Sequence, residues 1–252
     1  MIIDVHSHLN DSQFDSDRED VIARMKEAQV QTITIGTGLE MSKKAIAIAE
    51  ANNMWATVGQ HPVDSPEEIF SEAMYLELAK NSRVVAIGEC GLDYYWEKSE
   101  SGKTRQKELF VKHIELARRV NKPLMLHVRN TYEDAYNILR EHGVRGHIHF
   151  FAGEWNMAKR FIDLGCTLSF SGVITFTNQY DEVVKNVPRD SYMIETDAPH
   201  ATPTPYRGRR NEPTYVLETI KHIANLRGTT PEHITEQTTA TAKQFFSLGL
   251  QI

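Results

Sequence analysis

Six side chains able to bind a metal or move a proton follow apolar, strand-like runs. His6 and His8 close the first run in "DVHSHL"; Glu89 stands in "VVAIGECGLDYY", His127 in "PLMLHVRN", His149 in "GHIHFFAG" and Asp197 in "YMIETDAPH". Each alone has a plain explanation: a carboxylate after a strand often caps a helix, and a lone histidine is often solvated or packed. Together they make four imidazoles and two carboxylates, a donor set that suits Zn, Mn, Fe or Ni better than Mg alone. Six donors exceed the need of one open catalytic ion. They suit two ions ~3.5–4 Å apart, bridged by a carboxylate, either Glu89 or Asp197. Such a pair can activate a water and stabilise charge on a phosphoryl oxygen.

These residues act together only if the chain brings them to one place. Short apolar runs over residues 2–5, 32–35, 55–58, 84–87, 124–127, 147–150, 167–170 and 192–194 alternate with stretches of helical periodicity over 17–28, 43–51, 66–79, 105–120, 132–140 and 154–164. Two more helical stretches, 214–226 and 231–246, complete the C-terminal third. Strands alternating with helices read as an α/β protein with a parallel sheet. Eight strands close most simply into a TIM-like (β/α)8 barrel, a doubly wound sheet being the other reading of the pattern. In a barrel the C-terminal strand ends converge on one mouth, where active sites form. Side-chain alternation supports that convergence. It groups Asp4 with His6 and His8, Val85 and Ile87 with Glu89, Met125 with His127, His147 with His149, and Met193 and Glu195 with Asp197. By this rule Asp4 and Glu195 lie inside the barrel, one layer beneath the ions, where they can orient the imidazoles.

The 252 residues show no repeat, low-complexity segment or Pro/Gly-rich linker, so a single domain over 1–252 is expected. A formal net charge of −6 argues against broad non-specific nucleic-acid binding but leaves room for a local cationic pocket. Cys90 and Cys166 stand in unrelated contexts, which excludes a disulfide framework. No apolar run approaches the ~20 residues of a membrane span, and the start lacks the basic-then-apolar pattern of a signal peptide. A cytoplasmic protein without a membrane partner, compatible with a monomer, is expected.

In its motifs the chain resembles the TatD-type metal-dependent hydrolases, within the amidohydrolase-like barrel superfamily. The matching stretches are "DVHSHL", "VGQHP", "AIGECGLDYY", "PLMLHVR", "IHFFAG", "ETDAP" and "YRGRRNEP", in the family's order over residues 4–213. The resemblance implies a TIM-like barrel and a metal-dependent phosphodiesterase of the 3′–5′ exodeoxyribonuclease kind. Some relatives are described as removing D-amino acids from mischarged tRNA. It also implies His6, His8, Glu89, His127, His149 and Asp197 as ligands of two divalent ions (Zn, Mn or Mg), and a nucleic acid or other phosphodiester as substrate. Two stretches depart from the family. Phe150-Phe151-Ala152-Gly153 stands where Cys-Phe-Ser-Gly is usual, so any contact of that Ser hydroxyl is missing. His200 and Ala201 replace the usual aromatic and Leu after "DAP", so the substrate rim differs. His147 matches no ligand position and reads as a buried histidine.

Around this set, His61 in "GQHP" is either a turn residue held before Pro62 or, as the resemblance implies, a contact to substrate or leaving group at the mouth. Arg129, two residues past His127, either meets a phosphate or pairs with Asp134. Arg207, in the cationic loop "PYRGRRNEP" with Arg209 and Arg210, is expected to meet a phosphate; otherwise the loop is solvated, with Asn211 capping the next helix. Tyr94, Tyr95 and Trp96 either stack a nucleobase or pack their loop, packing being expected for at least two. Cys90 reads as packing. The expected reaction is two-metal hydrolysis served by Glu89 and Asp197, with Asp197 or His61 handling the proton. No Ser/His/Asp triad or glycine-rich phosphate cradle is evident. Two other functions compete: an ester or amide hydrolase, D-aminoacyl-tRNA deacylase included, and a non-catalytic metal-binding scaffold. Many binuclear amidohydrolases bridge their metals with a modified Lys at a strand end, and no Lys ends a run here. A lapsed enzyme is free to lose a ligand, and none is missing.

Overall fold

A computed structural model of the chain describes residues 1–64 and 68–249. The eight apolar runs become eight parallel strands in sequential order: β1 Ile2–Ser7, β2 Val30–Thr34, β3 Trp55–Val58, β4 Val84–Asp93, β5 Leu124–Arg129, β6 Gly146–Ile148, β7 Thr167–Phe170 and β8 Tyr192–Ile194. Between and after them run α1 Arg18–Glu27, α2 Leu39–Asn52, α3 Glu72–Ala79, α4 Glu100–Val120, α5 Tyr132–His142, α6 Trp155–Asp163, α7 Asp181–Asn186, α8 Val216–Arg227 and α9 Pro231–Phe245. The barrel closes just past β8. There Asp197 N–H donates to His6 O at 2.9 Å, and His8 N–H donates to Ala198 O at 2.7 Å.

Two apolar layers follow from the alternation of each strand. Outward residues such as Leu124, Leu126, Ile148, Leu168 and Ile194 pack against helix residues such as Phe110, Ile114 and Phe161. Inward residues Ile3, Val5, Ile33, Ile35, Val85, Met125 and Met193 fill the lower barrel, closed from below by Ala242, Phe246 and Leu248. Burying each such side chain contributes roughly 1.5–3 kcal/mol relative to exposure.

The structure departs from the expected elements at identifiable places. The expected helix from 66 begins outside the described residues, and its described part starts at Glu72, not before. Helix α7 was not expected: six residues with only Val183 and Val184 buried carry too little periodicity. Strand β4 runs on from 87 to Asp93, against β5. Gly88 and Gly91 permit that close pass, with φ of +144° and +134° and a would-be Cβ only 2.2 Å from the carbonyl oxygens of Met125 and His127.

Strict alternation also fails in two strands. The register slips in β1 between Asp4 and Ser7, and in β4 twice: between Val84 and Ala86 against β3, and between Ile87 and Cys90 against β5. A bulge of this kind re-aims the residues after it. Ile3 and Val5 join the interior cluster, and the slip after Asp4 lets His6 reach the mouth although Asp4, two residues before it, turns away. Ile87 packs outward with Cys90 and Leu92, not inward with Glu89 as alternation alone had it. Both cysteines are free and buried, and Cys90 packs as expected. Among the described residues no helix is long and apolar enough to cross a membrane.

Candidate metal centre

The C-terminal strand ends bring all six expected ligands and His61 together. His6 Nε2 lies 3.3 Å from His8 Nε2, 3.4 Å from Glu89 Oε2 and 3.7 Å from Asp197 Oδ1. His8 Nε2 lies 3.8 Å from Glu89 Oε2 and 3.4 Å from Asp197 Oδ1. The other oxygen, Glu89 Oε1, lies 2.9 Å from His149 Nε2, 3.0 Å from His127 Nδ1 and 3.6 Å from His61 Nε2. His127 Nδ1 and His149 Nε2 are 3.3 Å apart. The two oxygens of Glu89 thus face two different groups of imidazoles. Donor atoms sharing one ion with bonds of ~2.1 Å sit about 3.0–3.5 Å from one another, close to these separations. Glu89 Oε2, fully buried, has no hydrogen-bond donor among the described residues. Both observations fit divalent-cation binding.

Asp197 is not carried by strand alternation, because β8 has ended. It stands in a left-handed turn at φ +56°, a conformation Asp tolerates better than most residues. Asp4 does not support the imidazoles. Its carboxylate accepts from Thr196 N–H at 2.9 Å, Thr196 Oγ1 at 2.6 Å and His6 N–H at 3.3 Å. The slipped register sends it to the seam, where it ties together the two backbones that present His6 and Asp197. Glu195 keeps its expected place: Oε1 lies 3.6 Å from His149 Nδ1, and Oε2 accepts from Ser169 Oγ at 2.5 Å. A chain of contacts continues to His147, whose Nε2 is 2.8 Å from Ser169 Oγ and whose Nδ1 is 2.9 Å from Thr167 Oγ1. Since Ser169 donates to Glu195, it accepts from His147 Nε2–H, and Thr167 donates to His147 Nδ1.

Asp93 went unnoticed in the sequence. Its Oδ2 lies 2.9 Å from His127 Nε2, fixing the ring that offers Nδ1 to Glu89. The signal was present in "GECGLD": alternation continued past Glu89 places a carboxylate on the same side four residues on. His113 went unnoticed as well. On α4 its Nδ1–H donates to Leu109 O at 2.8 Å and its Nε2 accepts from Gln60 N–H at 2.9 Å, holding the backbone next to His61.

The electrostatics follow from burial and neighbours. Burial pushes the Glu89 carboxyl up, but the imidazoles of His149, His6 and His61 and a hydrogen bond from His127 hold it well below the usual range. Burial likewise opposes ionisation of Asp197, yet the His8 hydrogen bond and the fields of His6 and His8 hold it down to about 2. Burial disfavours the His149 cation, but Glu89 and Glu195 raise it well above an ordinary imidazole. His6 is lowered by burial and by His149, whose ring stacks on it at 3.8 Å.

At the rim, His61 is buried, its Nδ1 lying 2.9 Å from the Asp64 carboxylate and its ring edge-on to His127. Arg129 does not pair with Asp134, which binds Lys107 at 2.7 Å and Tyr94 Oη at 2.9 Å. Arg207 stacks 4.0 Å over Phe176 and donates to Thr202 O, while Arg210 pairs with Asp17 at 2.6 Å. Asn211 caps no helix: its amide holds the carbonyls of Thr196 and His200. Packing holds for Tyr94 alone; Tyr95 and Trp96 are 45% and 66% exposed, against the expectation that two of the three pack. A cavity of about 440 Å³ opens far from this mouth, between Met1, Ile22, Met25 and Met54, with no His, Asp or Glu in its lining.

Comparisons with known proteins set the chain among metal-dependent hydrolases. Residues 3–247 match the family described as TatD related DNase. The chain is 41% identical to the "uncharacterized metal-dependent hydrolase YabD" of Bacillus subtilis (strain 168), over 99% of this chain and 100% of that one. It is 33% identical to the "uncharacterized metal-dependent hydrolase YcfH" of Escherichia coli (strain K12), over 98% and 96%. The crystal structure of YjjV, a TatD homolog from Escherichia coli K12, matches with a TM-score of 0.87 at 27% identity over 98% of each chain. An amidohydrolase from Saccharomyces cerevisiae, at 17% identity and a TM-score of 0.83, shares the fold. With its barrel, its strand-end donors and its relatives in accord, the chain belongs to the TatD related DNase family of metal-dependent hydrolases.

Proposed function

We propose that the chain is a two-metal phosphodiesterase that removes nucleotides from the 3′ end of DNA. The observation that carries this reading is the division of Glu89, one oxygen facing His6 and His8, the other facing His127 and His149. One ion would be held by His6, His8, Asp197 and Glu89 Oε2, the second by His127, His149 and Glu89 Oε1. Glu89, rather than Asp197, would then help to hold both ions. When bound, such a pair supplies a nucleophilic water at neutral pH and stabilises charge on the phosphoryl group.

The chain's own residues supply the rest. Asp197, whose Oδ1 lies 3.4 Å from His8 Nε2, would accept the proton released on attack. His61, backed by Asp64, stands on the other side of Glu89 and can return a proton to the leaving oxygen. Asp93 and Glu195 hold the His127 and His149 rings in register. Arg129 and Arg207 would be the rim guanidiniums that meet phosphates. No strand ends in the lysine that an amide-cleaving binuclear site would use as its bridge. The family description as a DNase supports a nucleic-acid substrate.

The test is a substrate panel on metal-stripped protein reloaded with Zn, Mn or Mg. Single-stranded DNA labelled at either end, RNA and D-aminoacyl-tRNA are compared. Mononucleotides released from the 3′ end only in the presence of metal are expected. Cleavage of the aminoacyl ester with every phosphodiester left intact overturns the reading.

A further inference from the structure

The rim carries exposed aromatics that hydrolysis at the metal centre does not use. Tyr95 and Trp96, at the C-terminal end of β4, are exposed large aromatics whose rings meet edge to face at 4.9 Å. Arg129, two residues past His127 on β5, lays its guanidinium 4.0 Å over the Tyr95 ring and 5.9 Å from Trp96. We propose that Tyr95, Trp96 and Arg129 form a subsite that stacks a nucleobase and holds the adjacent phosphate of a single DNA strand. The proposal rests on the phosphodiesterase reading above and names where its substrate docks.

Three observations carry it. The shelf is tied to the centre by one carboxylate. Asp93 Oδ1 accepts from the backbone N–H groups of Tyr95 and Trp96 at 2.9 and 3.0 Å, while Oδ2 holds His127 Nε2. The loop therefore stands at a set position relative to a metal ligand instead of wandering at the surface. Next, Arg129 is a cation without a carboxylate among the described residues, since Asp134 is taken by Lys107 and Tyr94. A guanidinium over a ring face still has N–H groups to offer at its edge, the groups that grip phosphate. Lastly, a chain of net charge −6 repels a polyanion overall, so binding must come from local cations and from stacking. Exposed aromatics beside an unpaired guanidinium are the two parts of a single-strand platform. The corresponding pair Arg207 and Phe176 is less suited, because one Arg207 N–H already serves Thr202 O.

The test titrates metal-stripped protein with 5′-labelled tetrathymidylate and with an abasic tetramer of equal charge, reading anisotropy and tryptophan emission. Tetrathymidylate should bind more tightly than the abasic strand and quench emission, and Trp96→Phe should lose most of that quench. Trp96→Ala should weaken tetrathymidylate by about tenfold and leave the abasic strand within about twofold. Arg129→Ala should weaken both, and Arg129→Lys should recover part of the loss. Melting curves report whether the variants stay folded; both sites are exposed. Equal binding of the two strands by the wild type, or variants that bind tetrathymidylate like the wild type, overturns the subsite. Metal-loaded wild type that leaves DNA intact overturns the phosphodiesterase reading, and the titration then judges the subsite separately.

Discussion

His147 and His149 stand two residues apart on and just after β6, both aimed into the barrel, yet they belong to different regions. His147 lies in the lower layer, with the rings of Phe245 and Phe246 edge-on to it and, among the described residues, the hydroxyls of Thr167 and Ser169 as its side-chain hydrogen-bond partners. Burial holds it neutral, well below an ordinary imidazole. His149, one layer up, faces Glu89 and Glu195 and is raised well above the ordinary value. The same residue on the same strand is a neutral strut below and a cation-seeking donor above. Placement alone therefore does not assign a role; the charge of the atoms within about 3.5 Å does.

The largest expected effect comes from the residue that unites the upper layer. Glu89→Gln replaces one oxygen with an NH2 group and so cannot serve both imidazole groups. Metal affinity should fall by more than the ~10–100-fold typical of outer supporting residues, and hydrolysis with it, while circular dichroism stays native. Metal content and turnover equal to the wild type would sink the bridging role.

Glu195→Gln tests the boundary between the layers. Its carboxylate reaches up to His149 Nδ1 and down to Ser169. A loss of ~10–100-fold in metal affinity is expected, measured by competition with a chelating dye. His147→Leu should act differently. It strands the Thr167 hydroxyl and leaves Ser169 with Glu195 as its partner, which costs about 1–3 kcal/mol of stability, but metal affinity should fall less than in Glu195→Gln. If His147→Leu loses as much metal affinity as Glu195→Gln, the two layers form one unit and the contrast between the histidines is broken.

How much of this was legible in the sequence also divides by layer. Every strand was visible as an apolar run, because a buried parallel strand needs continuous apolar residues. The candidate ligands His127 and His149 and their neighbour Glu195 followed from plain alternation in β5, β6 and β8. Asp4 did not, because a bulge inside β1 turned it to the seam. Ile87 failed for the same reason in β4. Register slips arise from pairing with the neighbouring strand and leave no mark in a single strand's pattern. Asp93 was missed because β4 was ended at Ile87, six residues early. His113 was invisible in kind: its bond to Gln60 joins residues 53 apart.

His113 supplies the smallest effect and extends the contrast beyond the barrel interior. Like His147 it is a buried neutral strut, but it supports the loop that carries His61. Burial lowers it from 6.5 to about 4, against a weaker opposing bond to Leu109 O. The unfolded chain takes up this proton near pH 6.5, while the folded chain resists it until about pH 4. Its contribution is therefore fully present above pH 6.5 and is lost as pH falls toward 4, a change on the order of 3 kcal/mol. His113→Gln keeps an acceptor for Gln60 N–H and a donor for Leu109 O but cannot titrate. At pH 7 it should be less stable than the wild type by about 1 kcal/mol. The gap should close or reverse by pH 5, read from urea midpoints of metal-stripped protein. The metal-centre groups titrate in both proteins and cancel in the difference. Parallel stability curves between pH 7 and 5 would show that His113 is not the neutral strut its two hydrogen bonds describe.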